Sequence, residues 1–330
     1  MGECLLVRRG GKAMLKGISV KTPPTKLEYL AGDTFDATGL VLTALLGGVE
    51  VDVTTGYTIT PTTLTADTTA VTITYALDGK TASTTQAVTV KAYDPVLANN
   101  SWEKIIEAAA SGRASELWSV GDTKPYTIGE ETYTARIIGF DHDALDATDA
   151  KYGDATYNGG KNKAAITLEM VEVTSTGYKI HSSNSYNIGW RDCAMRSSTL
   201  PTLKGLIEET VRNAIRTVVK KRAQTPNCDN GKYYETPDEL FLLSAPEYNR
   251  VNAGWNNNFP QEGTPYAYYS AGNSLSKKKI NGTSNDKYWT SSAAHYQGSS
   301  YQFIYVNSDG TINSYDGIAM AKPIAIAFCL

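Results

Sequence analysis

Tyr288-Trp-Thr-Ser-Ser-Ala-Ala-His-Tyr-Gln-Gly-Ser-Ser-Tyr-Gln-Phe-Ile-Tyr-Val306 mixes two kinds of sequence. Between Thr290 and Asp316 nearly every residue is Ser, Thr, Ala, Gly, Asn, Gln or Tyr, whereas Tyr288-Trp289 before it and Pro323-Ile-Ala-Ile-Ala-Phe328 after it read as packed strands. Rigid amphipathic Tyr rings among adaptable Ser, Gly and Asn make the composition of a binding loop, and nothing in the stretch looks catalytic. Apolar alternation survives only at Phe303, Ile304 and Val306, so the side chains flanking them are expected to face outward. That expectation names His295, Tyr296, Gln297, Tyr301, Gln302, Tyr305, Asn313, Tyr315 and Asp316 as ligand contacts, with Tyr296, Tyr301 and Tyr305 as anchors. Trp255, in an Asn-rich loop followed by Phe259, Tyr266, Tyr268 and Tyr269, is a second candidate platform. Trp190 and Trp289 read as core pillars.

Outward from this segment, composition sets the limits. The 330 residues allow two or three domains, and 41% hydrophobic content suffices for buried cores. Thirty-one basic and 34 acidic residues are well mixed, which leaves no electrostatic footprint for nucleic acid. Apolar runs are too short to span a bilayer, so no membrane insertion is expected. Tyr outnumbers Phe 21 to 6, a skew that suits surfaces and interfaces where the ring's polar end stays wet. No secretory signal is legible at the N-terminus, which implies assembly in a cytoplasm. Cys4, Cys193, Cys228 and Cys329 form no CxxC pair and are expected to be reduced thiols.

Residues 16–91 read as all-β: Val71-Thr-Ile-Thr-Tyr75 and Ala87-Val-Thr-Val90 alternate with period two, and turn signals recur at Gly32-Asp33, Gly47-Gly48, Thr60-Pro61 and Asp78-Gly79. Residues 92–100, with Pro95 and two Asn, read as a linker. Ser101 stands as an N-cap before Trp102, Ile105, Ile106 and Ala109, a helical apolar stripe that stops near Gly112. Strands are expected at 132–140 and 165–173. A helix is expected from Pro201, with Leu203, Leu206, Ile207 and Val211 on one face; Ile215 to Val219 could continue it or form a strand. Phe241-Leu-Leu243 is a buried-strand candidate. Residues 1–15 form no core of their own, and Cys4, Leu5, Leu6 and Val7 either dock as an extended segment on a neighbouring subunit or belong to a disordered tail.

Val20-Lys-Thr-Pro-Pro-Thr-Lys26, Tyr29-Leu-Ala-Gly-Asp-Thr-Phe-Asp36 and Gly39-Leu-Val41 resemble the group 3 bacterial immunoglobulin-like domains, which implies an all-β sandwich acting as a spacer. Residues 101–330, through Trp118-Ser-Val-Gly-Asp122, Ile138-Gly-Phe-Asp-His142, Gly189-Trp-Arg-Asp-Cys-Ala-Met-Arg196, Leu240-Phe-Leu-Leu-Ser244, Tyr288-Trp289 and Ala327-Phe-Cys-Leu330, resemble an uncharacterised domain of gut bacteria and their phages. That domain is similar to the C-type-lectin-like fold of formylglycine-generating enzymes and of the variable proteins of diversity-generating retroelements. The fold class implied is multi-domain: an immunoglobulin-like sandwich followed by an α+β C-type-lectin-like domain.

Chemistry is sparse. His142, His181 and His295 are isolated from the cysteines, so no metal site is expected. The run Asp141-His-Asp-Ala-Leu-Asp-Ala-Thr-Asp149 invites a calcium reading but lacks EF-hand spacing, and reads as a solvated acidic loop. No cofactor or catalytic residue is expected. The resemblance implies a phage virion protein of the receptor-binding or tail-tip kind, binding a host cell-surface protein or glycan and other virion proteins, as a homo-oligomer with a trimer favoured. A head or tail decoration or fibre protein, and a formylglycine-type oxidase, are the rival readings.

Overall fold

A computed structural model describes residues 14–184, 188–223, 233–250, 261–296, 299–312 and 314–330. The chain divides into two compact units, Met1–Tyr93 and Asp94–Leu330. Strand accounts for 40% and helix for 16% of the structure, so β-structure carries most of the framework.

In the first unit the Thr/Val alternation becomes β1 (Leu15–Thr22), β2 (Glu28–Leu30), β3 (Val41–Leu46), β4 (Val49–Val53), β5 (Tyr57–Thr60), β6 (Ala70–Leu77), β7 (Lys80–Ala87) and β8 (Thr89–Lys91). They form two three-stranded antiparallel sheets, β1-β3-β4 and β5-β6-β7, and a short parallel pair, β2 with β8. Two hairpins turn on two residues with positive φ, Gly47-Gly48 and Asp78-Gly79. Those are the torsions a twist-compatible two-residue loop requires. Leu42, Ala44 and Val53 of one sheet and Val71 and Ile73 of the other share one apolar core with Tyr29, Phe35, Leu40 and Leu64.

The second unit begins earlier than the helix. Asp94 accepts from Val96 N (2.7 Å) and Asn99 Nδ2 (3.1 Å), its carbonyl accepts from Asn100 Nδ2 (2.9 Å) and Trp118 Nε1 (3.1 Å), and Leu97 is buried. From Asp94 onward the segment expected to be a linker is therefore packed structure. Ser101 caps α1 (Trp102–Ala110), its Oγ accepting from Lys104 N at 3.4 Å, and Trp102, Ile105, Ala108 and Ala109 make the buried stripe. A short α2 (Ala114–Leu117) follows Gly112, where positive φ and a backbone neighbour 3.0 Å from any added Cβ explain the glycine.

The main sheet is antiparallel, in the order β15 (Leu240–Phe241), β22 (Ala327–Cys329), β11 (Ile166–Met170), β10 (Glu131–Phe140), β9 (Thr123–Ile128). The chain's last strand thus sits inside the sheet, and every residue of β11 and β22 is buried, which accounts for the unbroken apolar run Pro323–Phe328. The helix expected from Pro201 is two short ones, α3 (Leu200–Leu206) and α4 (Glu209–Ala214). Ile207 between them adopts extended torsions and bridges to Ile128, so tertiary pairing interrupts the helical period and leaves Leu206 52% exposed. Strand β13 (Val218–Ala223) pairs with β14 (Tyr233–Asp238), which decides the open reading of Ile215 to Val219 for a strand from Val218. Also present are α5 (Ala267–Ser270), the pairs β12 (Tyr178–Lys179) with β21 (Ala321–Lys322) and β16 (Lys277–Lys278) with β17 (Asn285–Asp286), and the sheet β18 (Tyr288–Tyr296), β19 (Ser299–Val306), β20 (Ser314–Gly317).

Candidate functional site

The Tyr- and Ser-rich sheet β18-β19-β20 stands on a buried ionic base. Period-two alternation puts Val218, Lys220 and Arg222 of β13 on one face, and that face is interior. Lys220 Nζ lies 2.7 Å from Asp143 Oδ1, 2.6 Å from Glu247 Oε1 and 3.0 Å from the Tyr266 hydroxyl. Arg222 pairs with Glu247 (2.8 Å) and donates from Nε to Ser291 Oγ (2.7 Å) and from Nη1 to the Glu262 carbonyl (3.1 Å). Ser292 donates to Glu262 Oε2 (2.5 Å) and accepts from Ala245 N (2.9 Å); Thr290 donates to the Ile304 carbonyl (2.8 Å).

Two cations thus meet three carboxyls. Burial opposes the charge on Asp143, but Lys220 and His142 hold it down at about 2. Burial likewise opposes the charge on Glu247, which Arg222 and Lys220 pull below the ordinary range. Glu262 takes only hydrogen bonds on its carboxyl, from Ser292 and from Ala223 N (2.8 Å), and burial pushes it up to about 7. A neutral Glu262 balances the cluster.

Thr290, Ser291 and Ser292 are therefore interior, and the start of the expected display stretch is scaffold. Sequence composition concealed this because the partners, Arg222, Ala245, Glu262 and Ile304, lie elsewhere in the chain. The same holds for the tyrosines: Tyr248, Tyr266, Tyr269 and Tyr288 are fully buried, with hydroxyls placed on Glu169 (Tyr248, 2.5 Å, and Tyr269), on Asp143 (Tyr266, 2.8 Å) and on the Leu275 carbonyl (Tyr288, 2.7 Å). Lys277 adds an ion pair to Glu169 at 3.1 Å. An exposed platform around Tyr266 and Tyr269 is excluded, and much of the Tyr-over-Phe skew is core chemistry. The acidic run is equally structural: Asp143 and Asp149 are buried, and Asp149 accepts from Thr217 N at 2.6 Å.

Above this base, Phe303, Ile304 and Val306 are buried, while Gln302, Tyr305, Tyr315 and Asp316 are partly exposed. Register divides them between the two faces of the sheet: Tyr315 stands opposite Ile304 and so on the face of Gln302, while Asp316 stands opposite Phe303 and so on the face of Tyr305, which is itself opposite Trp289. Tyr305 meets Trp289 edge-on with ring centres 6.1 Å apart, Lys322 Nζ lies 4.5 Å from the Tyr305 ring centre, and Lys322 pairs with Asp316 at 2.7 Å. Trp289 is a buried pillar whose Nε1 donates to the Tyr178 carbonyl (3.0 Å), as is Trp190, bonded to Asp238 at 2.8 Å. Asn184 closes the outer edge, its Oδ1 accepting from Ala319 N at 3.1 Å beside Gly317. Lys322 and Asn184 carried no signal in sequence; each reaches the sheet through tertiary pairing. His295, Tyr296 and Tyr301 lie on β18 and β19, but their side chains, like the whole of Gln297, Asn313, Trp255 and Cys4–Val7, fall outside the described residues.

The cysteines offer no thiolate among the described residues. Burial pushes Cys193 up to about 12 and Cys329 well above its usual range. Cys193 donates to the Trp190 carbonyl at 3.2 Å. No group of three or more His, Cys, Asp or Glu that could hold a metal occurs among the described residues, and no helix there is long and apolar enough to cross a membrane. Residues 161–330 match the family model described as a domain of unknown function, DUF6273. No curated protein matches the chain.

Proposed function

From a chain that belongs to the DUF6273 family, we propose a non-catalytic recognition protein in which the first unit is an immunoglobulin-like spacer and the second a C-type-lectin-like binding domain. One observation carries the reading: one small sheet presents part-exposed Tyr305 and Asp316 on one face and Gln302 and Tyr315 on the other, and its first strand is fixed by buried, internally bonded polar groups. A surface held in place before the ligand arrives loses less entropy on binding, and amphipathic Tyr beside amides suits a varied polar partner. The protonated, buried thiols weigh against the oxidase alternative. Our reading, which rests on the sequence resemblance, is a virion receptor-binding or tail-tip adhesin with a host surface protein or glycan as ligand, and a homo-oligomer with a trimer favoured. Two small sheets over one apolar core, with no buried charged residue among the described residues of that unit, suit a spacer.

The test uses labelled full-length protein on a panel of intact gut-bacterial cells. Replacing Tyr296, Tyr301 and Tyr305 together by Ala is expected to abolish adsorption to every strain the wild type binds, while the far-ultraviolet circular dichroism stays that of the folded chain. Undiminished adsorption by the folded triple variant would remove this sheet as the binding face.

A further inference from the structure

Two adjoining cavities of about 340 and 730 Å³ share Thr148, Pro201, Lys204, Thr217 and Glu239, and so form one groove. None of their lining belongs to β18-β19-β20. Three segments build it: residues 148–150, the stretch from Arg196 through α3 and α4 to Thr217, and the end of β14 with residues 239–240.

Buried carboxylates pin these walls. Asp238, its side chain 1% exposed, accepts from Arg196 Nε at 2.5 Å and Trp190 Nε1 at 2.8 Å. Asp149 accepts from the Thr217 and Lys151 amides at 2.6 and 2.8 Å and faces Arg216 at 3.7 Å. The groove is therefore preformed, which lowers the ordering cost of filling it.

Its cations are not equivalent. Arg196 is committed to Asp238, Arg216 to Asp149 and the Ala214 carbonyl, and Lys204 to Glu239 at 2.5 Å. Arg212 has no carboxylate partner among the described residues. Its Nη1 donates to the Gly205 and Ile207 carbonyls at 3.0 and 3.3 Å, which fixes the guanidinium and leaves its other donors for a ligand. A guanidinium so held is suited to forked recognition of a carboxylate. Around it, Thr148, Thr217 and Asn213 offer both donors and acceptors, and Leu200, Pro201 and Leu240 supply an apolar ledge. Mixed hydroxyl-pairing groups beside an apolar ledge fit a sugar ring, which has polar edges and C–H faces. We propose that this groove binds a carboxylate-bearing saccharide, with the carboxylate on Arg212 and the ring hydroxyls on Thr148, Asn213 and Thr217.

Titration calorimetry of the full chain with trigalacturonate and with sialyllactose tests this directly. Saturable, salt-sensitive binding of at least one is expected, weakened about tenfold or more by Arg212→Gln. Because that change also removes two hydrogen bonds to carbonyls, Ala150→Trp, which fills the groove from an exposed position, should weaken binding to a similar extent in a chain of unchanged melting temperature. Binding of neither sugar, equal binding of their neutral counterparts, displacement by inorganic sulfate at equal concentration, or wild-type affinity in both variants would each overturn the assignment.

Discussion

Thr81-Ala-Ser-Thr-Thr85 of β7 in the first unit and Thr290-Ser-Ser292 in the second are both runs of small, mostly hydroxyl-bearing side chains, and their fates are opposite. No residue of β7 is buried, and its Ser83 hydroxyl meets Thr74 at 2.8 Å on an exposed face. Thr290, Ser291 and Ser292 are all at most 1% exposed. What differs is the far side. Among the described residues the first unit buries no charged side chain, whereas Arg222 and Glu262 lie against the start of β18 and take up its hydroxyls. A small hydroxyl is a surface residue where water is its partner and a core residue where a buried charge is. The first unit is thus held by apolar area, and the second adds a network in which each member depends on the others.

The contrast breaks most visibly at Arg222. Arg222→Ala leaves Glu247 and Ser291 buried without their partner, and is expected to cost about 3–5 kcal/mol. Calorimetry should show the second unit's transition fall or vanish while the first unit's stays in place; a joint fall of both would mean that the units do not melt separately.

Next in size is the segment 94–100. A fragment spanning 94–330 should exceed one spanning 101–330 by about 2–4 kcal/mol in urea unfolding, because the shorter piece loses the Leu97 burial and the Trp118–Asp94 bond. Equal midpoints would show that the segment only drapes over the surface.

The matched pair Ser292→Ala and Ser83→Ala sharpens the comparison further. Removing the Ser292 hydroxyl strands Ala245 N–H and one Glu262 oxygen and should cost about 1–3 kcal/mol. Ser83→Ala should stay within about 0.5 kcal/mol. Similar losses at the two sites would refute the distinction between wet and buried hydroxyls.

The smallest effect is in pH. Glu262, held at about 7 when folded against an ordinary 4.5, binds its proton more tightly in the folded chain, so it favours folding below about 4.5 and that contribution fades as pH rises through 7. Asp143, held at about 2, acts with the opposite sign: its contribution is present above about 3.8 and is lost as pH falls through 2. Glu262→Gln should therefore gain on wild type between about pH 6 and pH 8, by roughly 1 kcal/mol. A constant difference across that range would mean that Glu262 is ionised throughout.

Much of the framework was legible before any coordinates. The capped stripe of α1, the two-residue turns at Gly47-Gly48 and Asp78-Gly79, the strand at Glu131–Phe140 and the apolar close at Pro323–Phe328 all express local rules of period, capping and torsion. The break at Ile207 was not legible, since it follows from a bridge to Ile128 far away in the chain. In the sheet β18-β19-β20, the apolar residues Phe303, Ile304 and Val306 marked which side chains are buried. The cage of Trp289, Tyr305, Lys322 and Asp316 left no trace, because its parts come from four separate strands.

By itself, then, the sequence determined the periodicities: which segments are strand or helix, where turns reverse, and which apolar side chains need cover. Those depend on neighbours within a few residues. Only the tertiary structure decided the fate of the polar residues. Whether a Tyr, Ser or Asp ends in water or in the core depends on whether another segment brings it a partner strong enough to offset desolvation. Lys220, Arg222, Glu247 and Glu262 are such partners, and no local pattern announced where they would meet.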